Sequence, residues 1–301
     1  MRNLTSQALL TLSYTDQFSF PLSSDEVYQR LIKMRATKPQ VKQALQQLLT
    51  NKLVNRQSQF YHLYKSSDLK KTRTLRAKYS ATKWAETKEF VRLVNWLPGL
   101  KAIFVTGSLA MDNAKKDDDL DFMLVTSKNT LWLIRPLVTL LALWRGKARL
   151  RHLHASNSWC LNMWLTEQSL QLPRQNRNLY TAYEVCQATC IWDQADIQAK
   201  FLQENKWVKN YLPNYYEQKN SKLITPNQKL KLRSQKIFIV HCALCIVNTL
   251  VFLLQRSYMA WHLSNEQVDL QRAFFHPRKT KQLVMKRLRK SIAGLNDYMN
   301  S

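Results

Sequence analysis

The sequence predicts a chain of mixed α and β structure, with a short mixed sheet between helical regions. Apolar residues recur at helical spacing in the first and last parts of the chain, while short apolar runs of strand length cluster in the centre. With 301 residues, of which 45% are hydrophobic, the chain is long enough for two or three compact units. We expect four regions along the chain, which are residues 1–65, 66–98, 99–170 and 171–301.

Residues 1–65 have the pattern of three short helices followed by a β-hairpin. Leu4 and Leu12 share one helical face, Ser23 or Ser24 caps a second helix, and Pro39 opens a third. The hairpin strands are Leu53-Val54 and Phe60–Leu63, on either side of a polar turn.

This order resembles a winged helix-turn-helix, in which the third helix would read nucleic acid. Its phosphate contacts would be four basic side chains, Lys38, Lys42, Arg56 and Lys65. Because winged helices also serve as protein-interaction modules, nucleic acid and protein both stay open as partners of this unit.

Residues 66–98 predict a basic helical connector that ends before Pro98-Gly99. Its apolar stripe would consist of Trp84, Val91, Leu93 and Trp96. The basic residues near its start can bind phosphate groups, but a solvated charged face is the favoured interpretation.

The C-terminal region, residues 171–301, has helical periodicity and many basic residues. Leu179–Asn210 is expected to be helical throughout, and Ile237–Leu254 is an apolar run of about bilayer-spanning length. His241 and Asn248 interrupt this run, and basic clusters lie on both sides. A buried helix of a cytoplasmic protein is slightly favoured over an anchor through Ile237–Leu254 that would make the membrane a partner.

The charge of the chain is unusual: 46 basic and 20 acidic residues give a formal net charge of +26. Such a chain attracts nucleic acid, nucleotide phosphates or an anionic membrane surface, although a generally basic proteome would give the same balance. Only 4 glycines are present, and neither a P-loop nor a Rossmann glycine pattern occurs. The 5 cysteines are odd in number and lie partly in apolar runs, which indicates a reducing compartment.

The central region carries one chemically specific pattern. A short apolar strand runs into Gly107-Ser108, and Asp119-Leu120-Asp121-Phe122 begins a second strand ten residues further on. This resembles the nucleotidyltransferase signature of the DNA polymerase beta superfamily, over roughly residues 100–166. The resemblance implies an α/β nucleotidyltransferase core that transfers a nucleoside monophosphate from an NTP to a hydroxyl acceptor.

The resemblance also implies roles for the motif residues. Asp119 and Asp121 would hold two Mg²⁺ or Mn²⁺ ions, since alternate residues of a strand face one side and hard cations prefer oxygen ligands. Gly107 and Ser108 would bind the triphosphate of the NTP, with Lys115 and Lys116 as additional phosphate ligands.

Two alternatives remain for the motif. The acidic run can be a solvated turn, and a shifted register would use Asp117 and Asp119, although that register puts Asp118 where the family has an apolar residue. The family also has a third carboxylate on a later strand. Here that strand, Ser158–Thr166, has no acidic residue; it offers Asn162 as a weak ligand, and Glu167 lies just past its end. A catalytically inactive nucleic-acid-binding or regulatory protein is therefore the second hypothesis.

Overall fold

The computed structural model describes residues 3–64, 69–148, 156–223, 238–260, 267–275, 282–288 and 290. Within these residues the chain is a mixed α/β protein with two sheets, one of three and one of six strands. The prediction of mixed α and β structure is confirmed at this level.

The N-terminal part consists of helices packed on a small antiparallel sheet. Its elements in chain order are α1 (Leu4–Asp16), β1 (Leu22–Ser23), α2 (Ser24–Arg30), α3 (Lys38–Thr50), β2 (Val54–Gln57) and β3 (Phe60–Leu63). The strands lie in the order β1-β3-β2. Ser23 and Glu26 form a capping box at the start of α2, and Thr37 and Gln40 form one at α3. The three predicted helices and the hairpin are present, whereas β1 was not predicted.

A long helix, α4 (Leu69–Val94), connects this part to the central sheet. The apolar stripe predicted for it is confirmed in part, because Trp84, Val91 and Leu93 are half-buried and pack against the core of the larger sheet. Trp96 does not belong to it, since it lies beyond the helix and is 65% exposed. The fully buried positions of the helix were not predicted, because they include polar side chains that find partners elsewhere in the chain; they are Leu69, Ser80, Lys83, Thr87, Phe90 and Val94.

The larger sheet is mixed, and its strands lie in the order β7-β4-β5-β6-β9-β8. Strand β5 pairs antiparallel with β4 and parallel with β6. The strand bounds are β4 (Leu100–Val105), β5 (Leu120–Thr126), β6 (Trp159–Thr166), β7 (Thr189–Asp193), β8 (Gln267–Val268) and β9 (Arg272–Phe274). A single 3-10 turn, Leu109–Met111, follows β4.

Helices cover both faces of this sheet, because alternate residues of its strands enter two separate apolar cores. Phe104 and Met123 enter one core with α6 (Leu179–Gln187) and α7 (Ile197–Glu204). Ile103, Val105, Phe122 and Leu124 enter the other, with α4 and α5 (Leu131–Trp144).

Continuous helical structure from Leu179 to Asn210 was predicted wrongly. Strand β7 lies inside that stretch, between α6 and α7, and pairs with β4 at the edge of the sheet. Its five residues, Thr-Cys-Ile-Trp-Asp, include good strand formers, and pairing with β4 decides their conformation. Helix α8 (Pro213–Leu223) follows, and residues 282–288 are also helical.

Helix α9 (Phe238–Ala260) contains most of the apolar run, while Ile237 lies outside the described residues. The slight preference for a buried helix is wrong, because only 17% of the window Ala243–Ala260 is buried. By length and composition this helix can cross a membrane, and it is the only such helix among the described residues. Attachment to a membrane and a wholly cytoplasmic location both agree with this finding.

Candidate functional site

The Gly-Ser turn and the second aspartate of the motif are in direct contact. Gly107 follows β4 with φ +65°, a left-handed conformation that glycine adopts without strain. Beside it, the backbone N–H of Thr106 donates to the carbonyl oxygen of Asp121 at 2.9 Å. A Cβ atom at position 107 would lie 2.4 Å from Asp121 Oδ2. The Asp121 carboxylate therefore occupies the space that any larger residue at 107 would need.

Asn162 contacts the other oxygen of the same carboxylate. Its Nδ2 donates to Asp121 Oδ1 at 2.8 Å, from the neighbouring parallel strand β6. The pairing of β5 with β6 shifts between Asp121 and Met123, where β6 has one residue more than β5. The structure therefore brings Asn162 to the aspartate, as expected, whereas its role as a metal ligand stays a prediction.

Asp119 lies immediately before β5 and contacts the start of β6. The backbone N–H of Ser158 donates to Asp119 Oδ1 at 3.0 Å. Leu120 and Phe122 are fully buried, while Asp119 and Asp121 both keep partial exposure. Leu120 and Phe122 thus enter the core as expected and Asp121 lies on the strand, whereas Asp119, which was expected within the strand, lies one residue before it.

The third acidic residue, Asp118, has a different function in the loop. Its Oδ2 accepts a hydrogen bond from the Ser108 hydroxyl and one from the backbone N–H of Lys115, both at 2.9 Å. These bonds close the loop between the Gly-Ser turn and β5. The hydroxyl predicted to donate to a phosphate group therefore donates to a carboxylate here, and phosphate binding requires that it change acceptor.

The remaining charged residues of the loop face solvent. Lys115, Lys116 and Asp117 are all exposed. The lysines lie within a few residues of Asp118, so they are available to an anionic ligand of the loop. Asp117 and Asp119 both lie outside β5, but Asp119 is next to the strand and contacts Ser158, whereas Asp117 lies in an exposed turn. The register with Asp119 and Asp121 therefore stays the preferred prediction.

A buried lysine on α4, which was not predicted from the sequence, makes hydrogen bonds to the loop that contains Asp118. Lys83 of α4 is 5% exposed, and its Nζ donates to the Asp118 carbonyl at 2.6 Å and to the Asn157 side chain. Burial lowers the pKa of Lys83, while Glu86 and the carboxylates of the loop act in the opposite direction. The sequence signal was its helical register with Phe90 and Val94, which places the lysine on the packed face.

A buried carboxyl group near Asp121 was missed as well. Burial and, as a smaller cause, the charge of Asp121 together raise the pKa of Glu184, on α6, to about 7. By surface area the residue is half-buried. Glu184 in turn raises the pKa of Tyr180, with burial and Asp121 as smaller causes. The available signal was a single acidic residue in a helix that is otherwise largely apolar.

The raised pKa of Glu184 predicts a pH-dependent stability. A carboxyl group that titrates near 7 in the folded chain and near 4.5 when unfolded stabilises the fold below pH 4.5, and this contribution is lost as pH rises to 7. Glu184→Gln removes the ionisation, so we expect this variant to gain about 3 kcal/mol relative to wild type between pH 4.5 and pH 8. Urea denaturation at both pH values measures the difference. Glu204→Gln, at an exposed position of α7, is the control and should show no such trend.

The basic residues predicted to contact nucleic acid lie on the N-terminal part. Lys38 and Lys42 lie on α3, and Arg56 lies on β2, while Lys65 is outside the described residues. Lys38 pairs with Asp25 at 3.0 Å, and Arg56 Nε donates to the Ser58 carbonyl at 2.8 Å. Lys42 is exposed. Two of the three described cations thus already have partners within the chain.

A surface cavity lies on the same part, away from the Gly-Ser turn. Its volume is about 680 Å³, and α1 and α3 supply most of its walls. Its lining is largely polar and includes Asn3, Thr5, Gln43, Gln47 and Asn51. Because neither the motif nor its neighbours contribute to it, it is unrelated to the chemistry predicted for the central sheet.

The donor set for a metal ion is small. Among the described residues, no group of three or more His, Cys, Asp and Glu side chains is arranged to hold a metal ion. The available carboxylates are Asp121 on β5 and Asp119 immediately before it, and Asn162 can add an amide oxygen only if its side chain turns over. Two carboxylates fit hard cations that take their other ligands from a triphosphate and water.

Comparison with known proteins gave no match: no family model, no curated protein and no solved structure is similar to this chain.

Proposed function

We propose that the chain is a metal-dependent nucleotidyltransferase that moves a nucleoside monophosphate from an NTP to a hydroxyl acceptor. The observation that carries the proposal is the contact between Gly107 and Asp121. A strand carboxylate directly beside a glycine-serine turn gives one place where a triphosphate and its cations can meet. The order of strands around it, antiparallel β4–β5 and parallel β5–β6, supports the same assignment.

Each residue of the motif has a role in this proposal. Asp119 and Asp121 would hold two Mg²⁺ or Mn²⁺ ions, and these ions supply activation of the acceptor hydroxyl and neutralisation of the leaving pyrophosphate. Gly107 lets the Asp121 carboxylate lie against the turn, and Ser108 would donate its hydroxyl to a phosphate oxygen in place of Asp118. Lys115 and Lys116 add positive charge at the loop.

The proposal leaves the acceptor undefined, since no described residue of the motif selects a base or an acceptor. The N-terminal order of helix, strand, two helices and hairpin supports the winged-helix hypothesis for residues 1–65. A nucleic-acid end is therefore one acceptor to test, beside small hydroxyl compounds and proteins.

The test is a panel of NTPs with Mg²⁺ or Mn²⁺, scored for pyrophosphate release and for labelled product. Asp119→Ala/Asp121→Ala should lower both signals by about a thousandfold, because it removes several kcal/mol of charge stabilisation. Asp117→Ala, an exposed residue of the same loop, should keep the wild-type rate. Thermal stabilisation by Mg²⁺ with a non-hydrolysable NTP analogue gives a second readout, which the double variant should lose. Equal signals from all three proteins would contradict the assignment.

A second function is favoured by one observation at the site. The strand expected to carry a third carboxylate presents Asn162 instead, and its amide donates to Asp121. A regulatory or nucleic-acid-binding protein that retains the fold without catalysis would have this feature and would use the net charge of +26. Affinity for DNA or RNA that falls steeply with salt, without Mg²⁺-dependent pyrophosphate release, would identify it.

A further inference from the structure

Helix α9 has its polar side turned toward the protein. Asn248 Oδ1 accepts a hydrogen bond from the backbone N–H of Trp132 at 3.0 Å, and Gln255 Nε2 donates to the Trp132 carbonyl at 2.8 Å. Gln255 Oε1 accepts from Arg135 at 2.6 Å. Phe252 lies between these contacts and packs on the Trp132 ring. The side of α9 that faces α5 therefore makes hydrogen bonds to polar groups of α5. An ordinary surface helix would present an apolar side there.

The outward side of α9 is apolar, and so is the exposed edge of α5. We call these residues together the outer apolar face. On α9 they are Ile246, Val247, Leu250, Leu253 and Leu254, and on α5 they are Leu137, Leu140, Leu143 and Trp144. Their exposed fractions range from 38% for Leu143 to 75% for Trp144. Soluble monomers rarely leave so many large apolar side chains together in water, so this face marks an interaction site.

We infer that the outer apolar face docks on an anionic lipid bilayer, with α9 lying in the plane of the interface. Trp144 and Tyr258 lie near the C-terminal ends of α5 and α9 and are each 75% exposed. Aromatic rings of this kind are favoured at the level of lipid headgroups. Arg256 is exposed beside Tyr258, and Arg145, which pairs with Glu89 at 3.3 Å, is exposed beside Trp144. In this arrangement both arginines face anionic headgroups.

The charge of the two helices distinguishes lipid from the other occupants. Neither α5 nor α9 contains an acidic residue, and the whole chain carries +26. A second copy of the chain would bring like charges together around the apolar face. Nucleic acid matches the charge but offers no apolar interior. An anionic bilayer supplies both the negative surface and the hydrocarbon that the leucines need.

The packing of α9 indicates an in-plane orientation. The residues that contact the rest of the chain, Asn248, Phe252, Gln255 and Met259, extend over roughly 16 Å of the helix at 1.5 Å per residue. The hydrocarbon core of a bilayer is roughly 30 Å thick. If α9 crossed it as packed here, the part of the chain that α9 contacts would occupy about half of that thickness. Lying flat, α9 buries its outer side in lipid and keeps its polar contacts with α5.

Flotation of the full chain with lipid vesicles tests this inference. We expect the protein to float with vesicles of phosphatidylcholine and phosphatidylglycerol, and much less with phosphatidylcholine alone. Leu250→Glu/Leu254→Glu should lower binding at least tenfold, since each exposed leucine loses its transfer into hydrocarbon. The matched control is Leu75→Glu, because Leu75 lies on α4 and is 47% exposed. For the aromatic contribution, Trp144→Ala is compared with Trp96→Ala, whose ring is 65% exposed outside the face.

Several outcomes would overturn the inference. If wild type and the double glutamate variant float equally well, the outer apolar face does not bind lipid. If Leu75→Glu lowers flotation as much as the double variant does, the effect is not specific to this face. A lipid-free dimer that only the double variant dissociates assigns the face to a second copy. Protein that stays in cell membranes after alkaline carbonate extraction assigns α9 to a spanning anchor. None of these results depends on nucleotide turnover, so failure of the proposed enzyme activity leaves the test unaffected.

Discussion

A Gly107→Ala variant is expected to lose roughly 2–4 kcal/mol of folding free energy and nearly all nucleotidyl transfer. The new Cβ atom would lie 2.4 Å from Asp121 Oδ2 and 3.2 Å from its Cγ, so the carboxylate must move. Movement breaks the hydrogen bond from Asn162 and displaces a proposed metal ligand. Urea denaturation measures the stability, and pyrophosphate release measures the activity.

Gly146 offers a matched control for this variant. Its φ is also +65°, but a Cβ atom there meets no other atom within 4 Å. Gly146→Ala therefore carries the same backbone strain without the contact, and should cost only roughly 1–2 kcal/mol and leave activity unchanged. If the two alanine variants lose equal stability, the close approach of Asp121 to the turn is wrong.

Local signals in the sequence predicted much of the fold. Proline and the capping residues mark the starts of α2 and α3, since their effect acts within one helical turn. The alternation of aspartate with apolar residues predicted that Leu120 and Phe122 are buried. The spacing of the motif also predicted that Gly107 and Asp121 lie close together, because β4 and β5 are adjacent in sequence.

Features that depend on distant partners were not predicted. Strand β7 forms because β4 offers an open edge, and nothing within its five residues decides between helix and strand. The outward apolar side of α9 depends on Asn248 and Gln255 meeting Trp132, more than a hundred residues earlier in the chain. The same holds for Glu184, whose raised pKa follows first from burial and then from the charge of Asp121 in the folded chain.

Lys83 is the clearest case of such a distant contact, and its removal is the other change with a large expected effect. Lys83→Met keeps the apolar stem but leaves the Asp118 carbonyl and the Asn157 amide oxygen without their charged donor. Hydrogen bonds to charged groups contribute roughly 1.5–3 kcal/mol, so we expect a loss of about 2–4 kcal/mol in urea denaturation.

The same substitution connects α4 to the proposed chemistry. Without Lys83 the loop from Asp117 to Asp119 loses the cation that offsets its negative charge, so the carboxylates repel one another more strongly. Mg²⁺ should therefore stabilise Lys83→Met more than wild type if Asp119 and Asp121 bind the ion. Lys88→Met, at an exposed position of the same helix, should match wild type in both measurements. A Mg²⁺ effect that is identical in all three proteins would show that this lysine supports the fold of the loop without influencing a cation site.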